Sequence, residues 1–393
     1  MGSKTSLLAG ELGEIILRES ESAERFVDLF AGSGAVAHFV AQRTSLPVLT
    51  VDLQEYARIL AASVIERTRS LASDPALAKW LERIAEPDAS GNKPALSKAE
   101  VLRQRVASEA SAEGFITRHY GGHYFSLAQA REFDQLYASL PNEEGVRTTA
   151  LAVLLQAASI CAAAPGHTAQ PFQPTDSLLP YISQSWSRSV RATSRNVLET
   201  IAPLHANQVG EAVTGDAETV AASLTCTDLV FCDPPYSAVQ YSRFYHVLEG
   251  IARGGWPAVE GKGRAPAQSS RKASAFSMKS KAKSAMRDLL KVLREKDARA
   301  IVTFPDADAS NGLSGSDIIS IADEDWYVDT RYVDSVHSTL GGSNAETGRG
   351  GRRTLKEAVI LLSPKRSLIP VMPTRPIEVG NASEPQLMVA VGT

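Results

Sequence analysis

The stretch RFVDLFAGSGAVAHFVAQRTSLPVLTVD, residues 25–52, decides the fold. Its first five residues predict a buried strand, and an apolar helical pattern begins at about Ala35. Gly32 and Gly34 bracket a serine between these two elements. The residues VLTV predict a second strand, which ends on Asp52. Strand, glycine turn, helix, strand and acid in this order are typical of a parallel sheet that binds a nucleoside at the C-terminal edge of its strands.

The glycine turn favours a ligand that approaches the backbone closely, because glycine has no side chain and tolerates a positive φ. Asp52 lies 18 residues after Gly34, near the spacing of about 20 at which an acid binds ribose hydroxyls. The pattern Gly32-x-Gly34-x-x-Ala37 also fits a nicotinamide-binding turn. This half of the chain therefore predicts a nucleoside site and leaves both a dehydrogenase and a methyltransferase open.

A second motif, LVFCDPPYSAVQYSRFYHVLEG at residues 229–250, contains another short apolar strand. The residues that follow this strand, Asp233, Pro234, Pro235 and Tyr236, cannot continue it, since each proline fixes its own φ and lacks an N–H. Pro234 also pushes Asp233 toward an extended conformation. The sequence predicts a stiff corner that holds one carboxylate, one bare carbonyl and one aromatic ring in fixed relation.

Upstream of the second motif, EAVTGDAETVAASL predicts a short strand and then a helix, with Asp216 at the junction. An acid at this place can accept a hydrogen bond from a nucleobase amine at the sheet edge. It can also cap the helix that follows. Both roles stay open, and one residue can perform both.

The composition limits the class of protein. The 393 residues carry a net charge of −3, so a nucleic-acid surface would have to be a local basic patch. The cysteines Cys161, Cys226 and Cys232 form no C-x-x-C pair, which argues against a disulfide framework or a cysteine-based zinc site, and we predict no metal. The lack of a long apolar run or an apolar leader predicts a cytoplasmic protein without a membrane span.

The patterns predict an α/β fold, with a Rossmann-like sheet, helices on both of its faces and a mostly helical insertion. Residues 1–64 would form the N-terminal part of the catalytic domain. Residues 65–205, rich in alanine, leucine and charge at helical spacing, would form the insertion and a candidate target recognition domain. Residues 206–365 would complete the catalytic domain, and residues 366–393 would form a C-terminal tail.

A basic segment, residues 261–287, carries eight lysines and arginines and no acid. It is too polar to bury much surface, so we predict a flexible loop that grips phosphates, with a solvated linker as the alternative. A helix should begin within it, at about Ala282, and precede the strand ARAIVTF. A loop rich in glycine and arginine precedes the last predicted strand. The predicted nucleic-acid contacts are Arg264, Arg271, Lys272, Lys279, Lys281, Lys283, Arg349, Arg352 and Arg353.

The order VDLFAGSGAVA … VDLQEYA … GDA … FCDPPYSAVQYSRFYHVLE resembles the adenine-specific DNA methyltransferases of the D12, Dam-like class. The opening MGSKTSLL is similar to the Y-x-G-S-K-x-x-L of one branch, without its aromatic residue. GGHYFSLAQAREFDQL is similar to the class's segment Y-F-T-x-x-N-A-x-x-I-D, with Gln129 where asparagine is usual. The likeness extends over most of residues 1–250 and more loosely to about residue 363.

The resemblance implies a methyltransferase sheet with S-adenosylmethionine as the cofactor. It implies that Lys4 meets the carboxylate of the cofactor, Asp52 its ribose hydroxyls and Asp216 its adenine amine. The full implied cofactor set is Lys4, Asp28, Phe30, Gly32, Gly34, Asp52, Leu53 and Asp216. The implied catalytic set, which would hold the target base, is Asp233, Pro234, Pro235 and Tyr236.

The chemistry of an exocyclic adenine amine suits the predicted corner. Its lone pair is delocalised into the ring, so it is a poor nucleophile. The carboxylate of Asp233 and the carbonyl of Pro234 can accept its two hydrogens and stabilise positive charge that develops on the nitrogen. Tyr236 can stack on the base, a contact worth about 1–3 kcal/mol. The amine is hidden in duplex DNA, so the base must be flipped out at a cost of a few kcal/mol.

The function predicted is therefore methyl transfer from S-adenosylmethionine to N6 of a flipped-out adenine in duplex DNA, by direct in-line displacement. The alternative is an amine methyltransferase that acts on RNA or on the cytosine amine. A nicotinamide oxidoreductase and a binding module without chemistry are more distant readings. A cognate restriction enzyme or defence-system protein is a candidate partner.

Overall fold

A seven-stranded sheet runs through the computed structural model, which describes residues 4–85, 96–338 and 352–365. Its strands are β1 (Arg25–Asp28), β2 (Val48–Asp52), β3 (Glu211–Thr214), β4 (Asp228–Cys232), β5 (Arg299–Pro305), β6 (Trp326–Ser338) and β7 (Arg352–Pro364). Their spatial order is β3-β2-β1-β4-β5-β7-β6. The first five of these neighbours pair in parallel, whereas β7 runs antiparallel between β5 and β6.

The chain order of the strands reverses beside β1, because β2 and β3 lie on one side of it and β4 and β5 on the other. In an open α/β sheet, a reversal of this kind leaves a crevice at the carboxyl ends of the two central strands. The C-terminal ends of β1 and β4 are therefore the place where the fold itself offers a ligand site.

Helices connect the strands in the described residues. They are α1 (Thr5–Leu8), α2 (Glu11–Ser20), α3 (Ala35–Arg43), α4 (Glu55–Ile65), α5 (Pro75–Leu81), α6 (Lys98–Glu109), α7 (Phe115–Tyr120), α8 (Leu127–Ala138), α9 (Glu144–Cys161), α10 (Leu179–Trp186), α11 (Val190–Ile201), α12 (Ala217–Ala221), α13 (Tyr241–Phe244), α14 (His246–Ala252), α15 (Ala282–Glu295) and α16 (Gly315–Ala322). Short 3₁₀ turns lie at Gln268–Ser270 and Ala275–Ser277. None of the helices in this described part has the length and hydropathy to cross a membrane.

Both faces of the sheet are covered, which confirms the predicted Rossmann-like α/β class. Successive strand residues point to opposite faces, so Phe26 packs with α2, α3 and α4, while Val27 packs with α12, α15 and α16. All of β4 is buried, as a central parallel strand requires. The predicted starts of α3 at Ala35 and α15 at Ala282 are confirmed.

The segment between α4 and β3 contains helices α5 to α11 in its described part, so it is mostly helical, as the sequence predicted. Its longest helix, α9, packs against α4, α11 and α14 in one apolar cluster that contains Leu60, Leu154 and Leu248. The other side of α4 packs on the sheet through Ala61. Because α4 is shared by both layers, the helical segment continues the core of the sheet domain.

The sequence did not predict strand β6 or helix α16. Strand β6 is the edge strand of the sheet, and although Trp326 and Val333 are buried, Tyr327 is 64% exposed and Tyr332 is 48% exposed. An edge strand buries little, so it lacks the apolar run by which the central strands were found.

Candidate active site

Four aspartates lie at the C-terminal ends of the parallel strands. Asp28 ends β1, Asp52 ends β2, Asp216 follows β3 and Asp233 follows β4. Since β1 stands between β2 and β4, these carboxylates share one edge of the sheet, beside the crevice that the strand order creates. The structure thus brings together the acids that the sequence singled out.

The glycine turn after β1 needs glycine for two reasons. Gly32 has a φ of 51° and Gly34 a φ of 77°, both in the left-handed region. A Cβ at Gly34 would also lie 3.2 Å from the Cα of Ala61 in α4. The N–H of Gly32 donates to Oδ2 of Asp52 at 3.0 Å, so the turn and the end of β2 are tied together.

The buried acids of this edge have raised pKa values. Burial raises the pKa of Asp28 to about 7, although the N–H of Phe30 donates to its carboxylate at 3.1 Å. Burial raises the pKa of Asp52 to about 6, against the hydrogen bonds from Gln54 and Gly32. Burial therefore disfavours the ionised forms of these acids, and a cationic ligand would stabilise those forms.

The corner after β4 is held in place by its neighbours. The hydroxyl of Thr303 in β5 donates to Oδ1 of Asp233 at 3.0 Å. The amide of Asn311, which is fully buried, donates to the carbonyl of Pro235 at 2.8 Å and to that of Phe276 at 2.9 Å. Burial raises the pKa of Asp233 despite the nearby charge of Lys4. The predicted stiff corner thus has tertiary supports as well as prolines.

Lys4 lies against this corner. Its ammonium is 3.1 Å from Oδ1 of Asp233 and also pairs with Oε1 of Glu357 in β7. Burial lowers the pKa of Lys4, but the two carboxylates outweigh burial and raise it overall. The sequence predicted that Lys4 meets the cofactor, and the structure places its ammonium between two carboxylates of the protein itself.

A cleft of about 70 Å³ opens at this edge of the sheet. The predicted residues that line it are Phe30, Gly32, Asp52, Leu53, Asp216, Lys272, Asp233 and Pro235. Asp216 also caps α12, because it accepts hydrogen bonds from the N–H groups of Glu218 and Thr219. The predicted residues that adjoin the cleft without lining it are Lys4, Asp28, Gly34, Pro234 and Tyr236.

Part of the cleft lining was not predicted from the sequence. Residues 271–278, which we call the strap, contribute Ser274 and Phe276 to its lining. The ring of Phe276 packs edge-on against Phe30, with 5.0 Å between centroids. The side chain of Gln240 pairs with the strap in both directions, accepting from the N–H of Ser274 at 2.7 Å and donating to its carbonyl at 3.1 Å. The available signal was Phe276 itself, the one aromatic residue in the basic segment.

The predicted nucleic-acid residues fall into different settings. Lys272, Lys279 and Lys281 are exposed on or beside the strap, and Arg271 is half-buried. The guanidinium of Arg264 binds inside the protein, to Glu109 at 3.0 Å and to the carbonyl of His119 at 2.9 Å.

The remaining predicted basic residues are less available or less defined. Lys283 pairs with Asp317 at 2.8 Å. Arg349 lies outside the described residues. Arg352 and Arg353 belong to β7, and only their backbone is described.

Two further residues from the sequence analysis have structural roles. Gln129 forms a capping box with Ser126, and its amide donates to the carbonyls of Ser185 and Arg188. His246, which follows the corner in the second motif, is fully buried, with Nε2 2.9 Å from the carbonyl of Gly263. Burial lowers its pKa to about 4. Both side chains are used in packing, away from the cleft lining.

A parallel sheet that carries a glycine turn and an Asp-Pro-Pro-Tyr corner at adjacent strand ends defines a methyltransferase. The sequence model of the D12 class N6 adenine-specific DNA methyltransferases matches residues 1–301, and the chain belongs to this family. The modification methylase StsI of Streptococcus sanguinis is 24% identical over 295 residues, which make up 74% of this chain and 41% of that protein. The chain therefore spans less than half the length of this curated relative.

Proposed function

We propose that this protein transfers a methyl group from S-adenosylmethionine to N6 of a flipped-out adenine in duplex DNA. The observation that carries the proposal is the placement of Asp233. Its carboxylate lines the same cleft as the glycine turn and Asp52, so an amine held by the corner would face a nucleoside held by the turn. Membership of the N6 adenine-specific family supports the choice of this amine.

The residues around the cleft suit the chemical groups of S-adenosylmethionine. Gly32 allows the backbone to approach a ligand closely, and Asp52 and Asp216 offer carboxylates to hydroxyl and amine groups. The rings of Phe30 and Phe276 form an apolar wall. When bound, this cofactor supplies an electrophilic methyl group on a cationic sulfur. The buried carboxylate of Asp28 provides the negative charge that such a cation requires.

The corner would activate the amine by accepting its hydrogens. Thr303 and Lys4 both contact Oδ1 of Asp233. Both contacts are to Oδ1, and Oδ2 would accept a hydrogen from the substrate amine. The carbonyl of Pro234 would accept the second hydrogen, and Tyr236 would stack on the base. As the nitrogen gains the methyl group it loses one proton, which Asp233 can accept and pass to water.

The DNA would lie across the open side of the cleft. Lys272, Lys279 and Lys281 are exposed there and could each contact a phosphate, which would help to offset the few kcal/mol needed to flip a base. A DNA substrate agrees with the cytoplasmic location predicted from the sequence. A cognate restriction enzyme remains a proposed partner, suggested by the name of the relative in Streptococcus sanguinis.

The test is incubation of the protein with a methyl-labelled cofactor and separate duplex DNA and RNA, followed by identification of the labelled base. We expect N6-methyladenine in the DNA. Label in cytosine, or in RNA alone, would replace the proposal by its alternative. Genome-wide mapping of methylated adenines, with and without the protein, would then identify the recognition sequence.

A further inference from the structure

Glu357 is a buried carboxylate that shares one face of β7 with the apolar residues Val359 and Leu361. It lies in β7, two residues before Val359, so both side chains point to the same face of the sheet. Val359 packs in the apolar cluster under α2 and α3, whereas Glu357 is 2% exposed and pairs with Lys4. A buried charge is costly unless it is paired, and where one is kept beside a cleft it often serves the site.

The contacts of Glu357 lead directly to Asp233. Lys4 bridges the two carboxylates, with its ammonium 3.1 Å from Oδ1 of Asp233. Thr303 donates to the same oxygen at 3.0 Å. These contacting residues come from the N-terminus, the turn after β4, strand β5 and strand β7. Only the folded sheet therefore brings them together.

We propose that Glu357 is a positioning residue for methyl transfer: it anchors Lys4, and Lys4 with Thr303 holds Oδ1 of Asp233 so that Oδ2 is left for the substrate amine. This inference rests on the proposed function of the corner. Glu357 is not among the residues that line the cleft, and its contact with the corner runs through Lys4. Because the reacting atoms must be aligned closely, loss of the anchor should slow the chemical step by about 10- to 100-fold.

The charges around Asp233 give this role a signature in pH. Lys4 lowers the pKa of Asp233, whereas Glu357 raises it. Removing Glu357 should therefore lower the pKa of Asp233, and removing Lys4 should raise it. Since Asp233 acts in its ionised form, the acidic limb of the pH profile of kcat should move with the pKa of Asp233. The other titratable groups close to Asp233 are Asp28, Cys232, Tyr236 and Tyr241, and the variants leave them unchanged.

The experiment compares wild type, Glu357→Gln, Lys4→Met and the double variant, with Asp334→Asn as the matched control. Asp334 is an exposed acid on the neighbouring strand β6, so its amide variant should match wild type. We expect Glu357→Gln to lower kcat and move the acid limb to lower pH. Lys4→Met should move that limb to higher pH. The double variant should have a kcat close to that of Lys4→Met, because Glu357 contacts the corner through Lys4.

Two results would overturn the inference. One is a Glu357→Gln protein with wild-type kcat and pH profile, and the other is a double variant whose loss is the product of the two single losses. Denaturant unfolding of wild type, the two single variants and the double variant measures the coupling free energy between Lys4 and Glu357, whether or not DNA is methylated. A coupling of zero would also reject the role of Glu357 as an anchor for Lys4. The double variant leaves neither charge of this pair buried alone, so it supplies a folded protein if Glu357→Gln does not fold. A wild type that labels no DNA adenine would instead reject the proposed function.

Discussion

The ends of β1 and β4 are neighbours in the sheet, yet their backbones have opposite chemistry. The turn after β1 is built on glycines and presents N–H donors, one of which binds Asp52. The corner after β4 is built on prolines, which have no N–H, and presents oxygen acceptors. A single cleft therefore has a donor-rich side suited to the oxygens of a cofactor and an acceptor-rich side suited to the hydrogens of an amine.

The difference also extends to what supports each side. The glycine turn is held by elements close to it in the chain, namely β2 and α4. The proline corner is held by Thr303, Asn311 and, through Lys4, by Glu357, which lies far away in the chain. Cofactor binding and methyl transfer should therefore be separable by mutation, and the following variants test this separation.

The largest effect should come from Asp233→Ala. It removes an acceptor that faces developing positive charge, so kcat should fall by about 100-fold or more. The Kd of S-adenosylmethionine should change less than about threefold, since the turn is untouched. Asp306→Ala is the control, because Asp306 is an exposed acid that follows the next strand, β5. Wild-type turnover in Asp233→Ala would remove the proposed role of the carboxylate.

The next effect should come from Gly34→Ala. Alanine in the left-handed conformation costs about 1–2 kcal/mol, and its Cβ would press on the backbone of Ala61. We expect a lower free energy of unfolding in denaturant and a higher Kd for the cofactor. Gly145→Ala is the matched control, because Gly145 lies in α9 with open space around it, and alanine there should be neutral or stabilising by up to about 1 kcal/mol. Equal behaviour of the two variants would contradict the need for glycine in the turn.

A smaller effect on cofactor affinity is expected from a change of pH. Asp28 has a pKa of about 7, so its ionised fraction rises about tenfold between about pH 6 and about pH 8. Cofactor affinity should rise by up to about that factor over this range, because only the ionised form attracts the cationic sulfur. Titration calorimetry measures it. S-adenosylhomocysteine, which lacks the charge, is the ligand control, and an Asp28→Asn protein with the same slope would refute the assignment.

The same raised pKa has a consequence for the free protein. Between about pH 4 and about pH 7 the native state holds a proton on Asp28 that the unfolded state has lost. The contribution of Asp28 to stability is therefore complete at low pH and is lost as pH rises through about 7. Cofactor binding should reduce this loss.

The smallest effect on the cleft should come from replacing Lys272, Lys279 and Lys281 together by alanine. If each contacts one phosphate, the slope of log affinity for DNA against log salt should flatten by up to about 3. Cofactor affinity should stay close to wild type. Lys365→Ala is the control, because this lysine follows the end of β7 at the opposite edge of the sheet. An unchanged slope would mean that these three lysines do not contact phosphates.

Much of the fold and half of the cleft could be predicted from the sequence. The first strand, the glycine turn and α3 were found because their signals lie within a few residues of one another. Asp216 and the Asp233 corner were singled out from short local motifs, and the family resemblance implied their roles. The strap was predicted as a phosphate-gripping loop, but the packing of Phe276 on Phe30 depends on a contact between distant segments.

By itself, the sequence determined the local chemistry of this protein: glycines where a backbone must approach a ligand, prolines where an N–H must be absent, and acids at strand ends. Only the tertiary structure decided which distant groups complete the site. Lys4 and Glu357 are 353 positions apart in the chain and meet because β7 lies beside β5. No periodic pattern in the sequence predicts such a contact. It arises from the order of strands in the sheet and from the free-energy cost of burying an unpaired charge in a medium of low dielectric constant.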